Sequence, residues 1–143
     1  MELKQHFKIM ILEDNEFYNK LLAKHLKNYI DPIASSKGFT FELFSYTTFN
    51  DCKLNLNEDI DFILCDYYLS ESYNALHLLE LIKQLPKKIR VIVLSRTRDL
   101  NTSIRALLKG AAEFISKDKD TLKKSGQIIE EMIYERLKAR EGN

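Results

Sequence analysis

The sequence predicts an α/β fold in which five parallel strands form one doubly wound sheet with helices on both faces. The main observation is an alternation, repeated five times, between short apolar runs and longer stretches with helical periodicity. Such a repeat is typical of βα units around a parallel sheet. The length of 143 residues fits one domain, and the content of only four Gly and two Pro predicts that most of the chain is regular structure.

The first unit starts with the apolar run 7–12, which we interpret as a strand. Apolar residues then recur at steps of about three and four over 17–30, so a helix is predicted there. Pro32 and Gly38 indicate that a loop follows this helix and leads to the second strand.

The remaining elements repeat this order. The predicted strands are 39–44, 60–65, 89–94 and 112–116. The predicted helices that follow them are 48–54, 73–85, 101–109 and 120–139. Thr47 or Thr48 can cap the first of these helices, Pro86 ends the second, and Gly110 lies at the position after the third where a helix commonly terminates. The last helix has one apolar face that we expect to pack on the sheet.

Composition excludes several classes of function. Lys and Arg number 22 against 21 Asp and Glu, so the formal charge of +1 encodes no general attraction to nucleic acid or to anionic lipid. The longest apolar runs have four residues, which is far too short to cross a membrane, and the N-terminus has no pattern of an export signal. Cys52 and Cys65 form neither a C-x-x-C pair nor a disulfide framework, so a cytoplasmic protein is expected, with Cys65 as a buried thiol at the end of an apolar run.

The domain organisation is expected to be simple. We predict one domain over residues 1–143, with its core at about 7–139. Only 26 residues follow Lys117, and the last helix takes up nearly all of them. No DNA-binding or catalytic output domain is therefore expected in this chain.

Polar side chains of distinct types stand where four of the five strands end. Glu13 and Asp14 follow the first strand, Asp66 follows the third, Ser95 the fourth and Lys117 the fifth. Each alone has a plain interpretation, for example Asp14 as a helix cap or Asp66 as a turn former. However, ligands of an open α/β sheet bind beyond the carboxyl ends of its strands, which is where all of these residues lie.

Taken together, these residues predict a metal and phosphate site. Two like charges about 4 Å apart repel by roughly 4 kcal/mol at an effective dielectric constant near 20, so three converging carboxylates need neutralisation. Mg²⁺ takes carboxylate, water and phosphate oxygens as ligands, which suits Glu13, Asp14 and Asp66. The ammonium of Lys117 and the hydroxyl of Ser95 then offer a charge and a hydrogen bond to a phosphoryl group.

Four segments together resemble the receiver domain of two-component response regulators, over about residues 8–139. They are the segments 9–14 (IMILED), 63–66 (ILCD), 91–95 (VIVLS) and 110–117 (GAAEFISK). The resemblance implies a flavodoxin-like sheet with strand order 2-1-3-4-5. It also implies a phosphoacceptor that assists its own phosphorylation and dephosphorylation, rather than an enzyme with a separate substrate.

The resemblance assigns roles to the site residues. Asp66 would accept a phosphoryl group from a histidine kinase or a histidine phosphotransfer protein. Mg²⁺ would be bound by Glu13, Asp14, Asp66 and the backbone carbonyl of Tyr68. Lys117 would pair with the phosphoryl oxygens, and Ser95 would move to hydrogen-bond them.

The resemblance also implies a switch and its partners. Phe114 would change rotamer as Ser95 moves, unless it is only a core aromatic. A downstream protein would bind the face of the fourth helix, fifth strand and fifth helix, and phosphorylation could drive formation of a homodimer. Binding to nucleic acid or to a membrane is not expected.

Several residues depart from the usual receiver pattern. Ser70 and Asn74 replace a usual Pro and Gly, and we expect the turn to survive because Asn tolerates a left-handed backbone. Tyr68 and Arg96 are bulky at positions that we place at the mouth of the site. We therefore expect these two side chains to restrict attack by water on the acyl phosphate.

Two alternatives stay open at this point. A pseudo-receiver would share the fold and act only as a protein-binding module, and the atypical Ser70, Asn74 and Arg96 favour it. An aspartate-nucleophile phosphohydrolase would need a D-x-D-x-T signature, but Tyr68 stands where its second Asp would be. The chain also lacks a glycine-rich phosphate loop, so nucleotide hydrolysis has no support.

Overall fold

The computed structural model describes residues 4–70, 72–96 and 99–141. Along them the elements are β1 (His6–Leu12), α1 (Glu16–Lys37), β2 (Thr40–Tyr46), α2 (Phe49–Asn55), β3 (Phe62–Asp66), α3 (Ala75–Lys83), β4 (Arg90–Ser95), α4 (Leu100–Leu108), β5 (Glu113–Ser116) and α5 (Thr121–Glu141). The strands pair in parallel in the order β2-β1-β3-β4-β5. This confirms the predicted fold class and strand order. Because the order reverses between β1 and β3, the carboxyl ends of these two strands border a crevice.

The sheet is covered on both faces because side chains of a strand alternate between its two sides. One core joins the sheet to α1 and α5, and the other joins it to α2, α3 and α4. In β3, for example, Phe62 and Leu64 belong to the first core, whereas Ile63 and Cys65 belong to the second. Cys52 and Cys65 are both buried free thiols, and burial was expected for Cys65.

The first helix is longer than the sequence suggests. A loop was expected at Pro32, but α1 continues through this proline to Lys37 and ends at Gly38, which has a left-handed backbone with φ of 75°. Ile30 and Ala34 lie four residues apart on opposite sides of Pro32, and both are buried in the core. Packing of this apolar face therefore outweighs the backbone hydrogen bond that the proline removes.

The amino-terminal end of the sheet contains a buried carboxylate that the sequence did not reveal. Asp61 accepts hydrogen bonds from the Lys8 backbone (2.9 Å), from Lys87 Nζ (2.7 Å) and from an Arg136 guanidinium nitrogen (2.8 Å). These partners belong to β1, the segment before β4, and α5. Asp61 therefore ties three separate parts of the chain together, at the end of the sheet opposite the predicted site.

Other element boundaries differ from the expected ones by a few residues. The largest difference is in α3, which was predicted over 73–85 but begins after its cap Asn74 and ends before its cap Gln84. Thr48 rather than Thr47 caps α2. Among the described residues, no helix has the length and apolar content needed to span a membrane.

Candidate functional site

The carboxyl edge of the sheet brings the predicted polar residues together. Asp66 and Ser95 are the last residues of β3 and β4, Glu13 follows β1, and Lys117 follows β5. The Lys117 backbone N–H donates to the Ser95 carbonyl at 2.7 Å, which extends the pairing of β4 and β5 past the end of β5. The site is thus built on strand ends, whose positions the sheet hydrogen bonds fix.

The turn after β1 presents Asp14 to the site. Asn15, not Asp14, is the N-cap of α1, because its side chain accepts from the Tyr18 backbone N–H at 2.8 Å. Asn19 donates from its side-chain amide to the carbonyls of Glu13 (3.1 Å) and Tyr46 (2.9 Å). The turn is therefore held by two asparagines, and the Asp14 carboxylate is left for another use.

Three carboxylates and one ammonium form the centre of the site. Oxygen atoms of Glu13, Asp14 and Asp66 lie within 4.8 Å of one another. Lys117 Nζ is 3.2 Å from Asp66 Oδ1 and also forms an ion pair with Glu13 Oε1. Asp14 is exposed, whereas Glu13 and Asp66 are buried. Three carboxyl groups are thus crowded around one ammonium group.

The electrostatics of the carboxylates follow from this crowding. Burial, together with the neighbouring Glu13, raises the pKa of Asp66 to about 8 despite the opposing effect of Lys117. Burial also raises the pKa of Asp14, and Glu13 adds to this increase. For Glu13, burial raises the pKa, but its contacts with Asp66 and Lys117 lower it more, so the net shift is downward.

The donor set fits a hard divalent cation. All three side chains offer oxygen atoms, which Mg²⁺ prefers, and Glu13 Oε2 is buried without a hydrogen-bond partner among the described residues. Tyr68 lines the same cavity, and its backbone forms an antiparallel bridge with Asn74. The hydrogen bonds of this bridge are made by the Tyr67 carbonyl and the Leu69 N–H. The Tyr68 carbonyl takes no part in them.

The predicted switch residues lie on the adjoining strands. Ser95 is fully buried at the end of β4. Phe114 in β5 is partly buried against the core that includes α3 and α4, and its ring centroid lies 6.4 Å from that of Tyr67. Phe114 therefore packs against the core and also lies next to the loop that follows Asp66.

The cavity above the carboxylates has a volume of about 310 Å³. Its lining consists of Glu13, Asp14, Asn15, Asp66, Tyr68, Arg96 and Lys117. The two residues expected at the mouth, Tyr68 and Arg96, are both exposed and both line it. The structure thus brings every predicted residue of the acidic centre and its mouth to one place.

Two features of this region were missed from the sequence. Asn74 has an extended backbone with φ of −141° and caps α3, so this turn does not use the left-handed backbone that Asn tolerates. The Asn74 side chain accepts from the Leu76 N–H, and His77 Nδ1 accepts from the Asn74 N–H. The second feature is Tyr18 of α1, whose ring faces Lys117. The only feature of the sequence that could have indicated this contact is the position of Tyr18, four residues after Asp14.

Comparisons with known proteins agree with this geometry. A family model described as "Response regulator receiver domain" matches residues 9–126. No curated protein matches the chain significantly.

Several solved structures resemble the fold. A signal receiver domain of a DNA-binding response regulator from Colwellia psychrerythraea is 20% identical, with a TM-score of 0.69 over 87% of this chain and 98% of that chain. A receiver domain from Rhodospirillum rubrum is 18% identical, with a TM-score of 0.71 over 86% and 93%. A receiver domain protein from Methanospirillum hungatei is 21% identical, with a TM-score of 0.65 over 94% and 99%. At these identities the similarity establishes the fold alone.

Proposed function

Since the chain belongs to the response regulator receiver domain family, we propose that it accepts a phosphoryl group on Asp66 in a Mg²⁺-dependent reaction. The donor is a histidine kinase or a histidine phosphotransfer protein. The observation that carries this proposal is the cluster itself, in which Asp66 lies within 4.8 Å of two further carboxylates and 3.2 Å from the Lys117 ammonium. A site that only bound another protein would not require this arrangement of like charges.

The chemistry follows from the positions of these groups. A carboxylate oxygen of Asp66 attacks phosphorus, and the bond from phosphorus to the donor imidazole nitrogen breaks as the nitrogen takes the electron pair. The product is an acyl phosphate on Asp66. Lys117 pairs with the phosphoryl oxygens, since its ammonium already lies against the carboxylate that receives them.

Glu13, Asp14, Asp66 and the Tyr68 carbonyl are the proposed metal ligands. Mg²⁺ bound there supplies positive charge to the carboxylates and an open coordination position for a phosphoryl oxygen. The unpartnered Glu13 Oε2 supports this assignment because a buried carboxylate oxygen without a partner is unfavourable.

Signal output is proposed to start at Ser95 and Phe114. A hydroxyl at the end of β4 can hydrogen-bond a new phosphoryl oxygen, and Phe114 on the neighbouring strand can then change rotamer. The proposed readout surface is the face of α4, β5 and α5, where a downstream protein or a second copy would bind. The proposed compartment is the cytoplasm, which suits the two free thiols.

The test is intact-mass analysis of the protein incubated with Mg²⁺ and a small acyl phosphate. We expect a gain of one phosphoryl group that is lost in Asp66→Asn and in the presence of a chelator. Asp59→Asn is a suitable control because this carboxylate is exposed and lies outside the site.

If the small donor fails, the measurement is repeated with a histidine phosphotransfer protein, since Arg96 at the mouth could exclude small donors. Failure with both donors, together with no Mg²⁺ binding by calorimetry, would contradict the proposal. That result would identify the chain as a pseudo-receiver.

A further inference from the structure

Lys117 is held from two sides. On one side are the carboxylates of Glu13 and Asp66. On the other side is Tyr18 of α1, with the Lys117 Nζ 4.7 Å from the centroid of its ring. This separation lies within the range of about 6 Å in which an ammonium is attracted by the negative face of an aromatic ring.

The environment strengthens this contact. The Lys117 side chain is only 9% exposed, so its charge is poorly hydrated. A cation–π contact is stronger when the cation is desolvated, because water no longer competes for it. Tyr18 itself is partly buried against the core between the sheet, α1 and α5.

Tyr18 also contacts the segment that carries Lys117. Its side chain lies next to that of Thr121, the fully buried first residue of α5. The Thr121 hydroxyl donates to the Ser116 carbonyl at 2.9 Å and accepts from the Asp118 N–H at 2.6 Å. The residues before and after Lys117 are therefore both hydrogen-bonded to Thr121, which is the neighbour of Tyr18.

We propose that Tyr18 is a positioning residue for phosphotransfer, which holds the Lys117 ammonium at the site by its ring face. This inference rests on the proposed function of Asp66. Phosphorylation converts the Asp66 carboxylate into an acyl phosphate, and the ammonium must then pair with phosphoryl oxygens instead. The ring face restricts Lys117 to positions near these oxygens, so less conformational freedom is lost when the new pairing forms.

The first test compares variants in phosphorylation by a small donor with Mg²⁺. We expect Tyr18→Leu to lower the rate constant roughly two- to fivefold, the fold-change expected for a cation–π contact of ordinary strength. Tyr18→Phe keeps the ring and should stay closer to wild type. Phe17→Leu is the matched control because Phe17 is the neighbouring aromatic of α1 and is 77% exposed.

A second test separates the electronic effect from packing. Phenylalanine analogues with one, two or three ring fluorines at position 18 keep nearly the same size but progressively weaken the negative ring face. The rate constant should fall stepwise with fluorination, whereas a merely structural ring would give a flat series. In NMR spectra, the Lys117 side-chain protons should show an upfield ring-current shift that Tyr18→Leu removes and Tyr18→Phe retains.

The outcomes distinguish this inference from the proposed function. A wild-type chain that is phosphorylated neither by the small donor nor by a histidine phosphotransfer protein contradicts the function of Asp66. A phosphorylated wild type with a flat fluorinated series, or with a Tyr18→Leu variant of unchanged rate, contradicts only the role of Tyr18. Because the fluorinated series keeps the fold, the test does not depend on the stability of the leucine variant.

Discussion

Asp66 lies where an ionised carboxylate is unfavourable in the absence of metal. It is buried, Glu13 and Asp14 are nearby, and Lys117 must balance more than one negative charge. The raised pKa of Asp66, about 8, expresses this conflict, with burial as its largest cause. The same arrangement that prepares a site for a divalent cation therefore costs stability when the cation is absent.

Because an ionised Asp66 is unfavourable in the folded state, we expect the stability of the metal-free protein to depend on pH. The pKa of Asp66 is raised from 3.8 to about 8 in the folded state, so the folded protein binds this proton more tightly than the unfolded chain does. Its contribution to stability is fully present below pH 4 and is lost as the pH rises toward 8. We expect Asp66→Asn to raise the free energy of unfolding of the metal-free protein by on the order of 2 kcal/mol at pH 8 and to change it little at pH 4.

Urea denaturation with a chelator at both pH values measures this difference. Glu113→Gln serves as the control, because Glu113 is an exposed carboxylate on β5. In parallel, Asp66→Asn should weaken Mg²⁺ binding by calorimetry. If Asp66→Asn is less stable than wild type at pH 8 and binds Mg²⁺ more tightly, the carboxylates do not repel one another as we infer.

Tyr68 and Arg96 give a second prediction for single residues. Both are exposed and line the mouth of the cavity above Asp66, so they narrow the route by which water reaches an acyl phosphate. We expect Tyr68→Ala and Arg96→Ala each to increase the rate of dephosphorylation severalfold, which corresponds to about 1 kcal/mol in the barrier. Loss of the phosphoryl group, followed by intact mass after removal of the donor, measures the rate. Unchanged rates in both variants would show that the two side chains do not shield the site.

The acidic centre could be predicted from the sequence because each of its residues stands directly at a strand end. In a parallel sheet these ends meet at one edge, so Glu13, Asp66 and Lys117 converge whatever the details of the loops. Contacts that depend on helix rotation or on side-chain reach could not be predicted. Tyr18 faces Lys117, and Asp61 meets Arg136 across 75 residues of sequence, only because α1 and α5 pack on the sheet at particular angles.

At the scale of elements, the main disagreement with the sequence is α1. The prediction that Pro32 begins a loop relied on the local rule that proline removes a helical hydrogen bond. The structure places Pro32 inside α1, on an exposed position, while Ile30 and Ala34 remain packed in the core. Tertiary packing thus decides the length of this helix. A rule that considers only residues close in sequence does not take this packing into account.

The cost of Pro32 can be measured directly. We expect Pro32→Ala to raise the free energy of unfolding by about 1–3 kcal/mol, because it restores a backbone donor inside α1 and removes the clash of the proline ring. Chemical denaturation measures the change, with Ser35→Ala at an exposed position of the same helix as the control. A destabilised Pro32→Ala variant would contradict this expectation and show that the proline contributes favourably to α1.

At the scale of the whole molecule, the chain connects the site to an apolar surface on α4. The Lys117 N–H and the Ser95 carbonyl are hydrogen-bonded to each other, so the two groups proposed to contact the phosphoryl group lie on paired strands. After β4 the chain leads to α4, whose exposed leucine and isoleucine side chains recur at steps of three and four, at Leu100, Ile104, Leu107 and Leu108. We call these four residues the α4 stripe. A movement of Ser95 would thus be transmitted toward a surface able to bind an apolar partner.

The α4 stripe is expected to mediate association after phosphorylation. With Mg²⁺ and a small acyl phosphate, sedimentation velocity should show wild-type protein shifting from monomer toward dimer as the phosphorylated fraction grows. Leu108→Asp should prevent this shift because it places a charge in the stripe, at a residue that is 79% exposed, while the extent of phosphorylation stays unchanged.

Leu54→Asp is the matched control for this experiment, since Leu54 is 83% exposed but belongs to α2, on another part of the surface. It should associate like wild type, because a charge outside the stripe leaves the contact intact. If the Leu108→Asp and Leu54→Asp variants form dimers to the same extent, the interface lies elsewhere. A phosphorylated wild type that remains monomeric would instead assign the stripe to a different protein, whose binding should then depend on both Leu108 and phosphorylated Asp66.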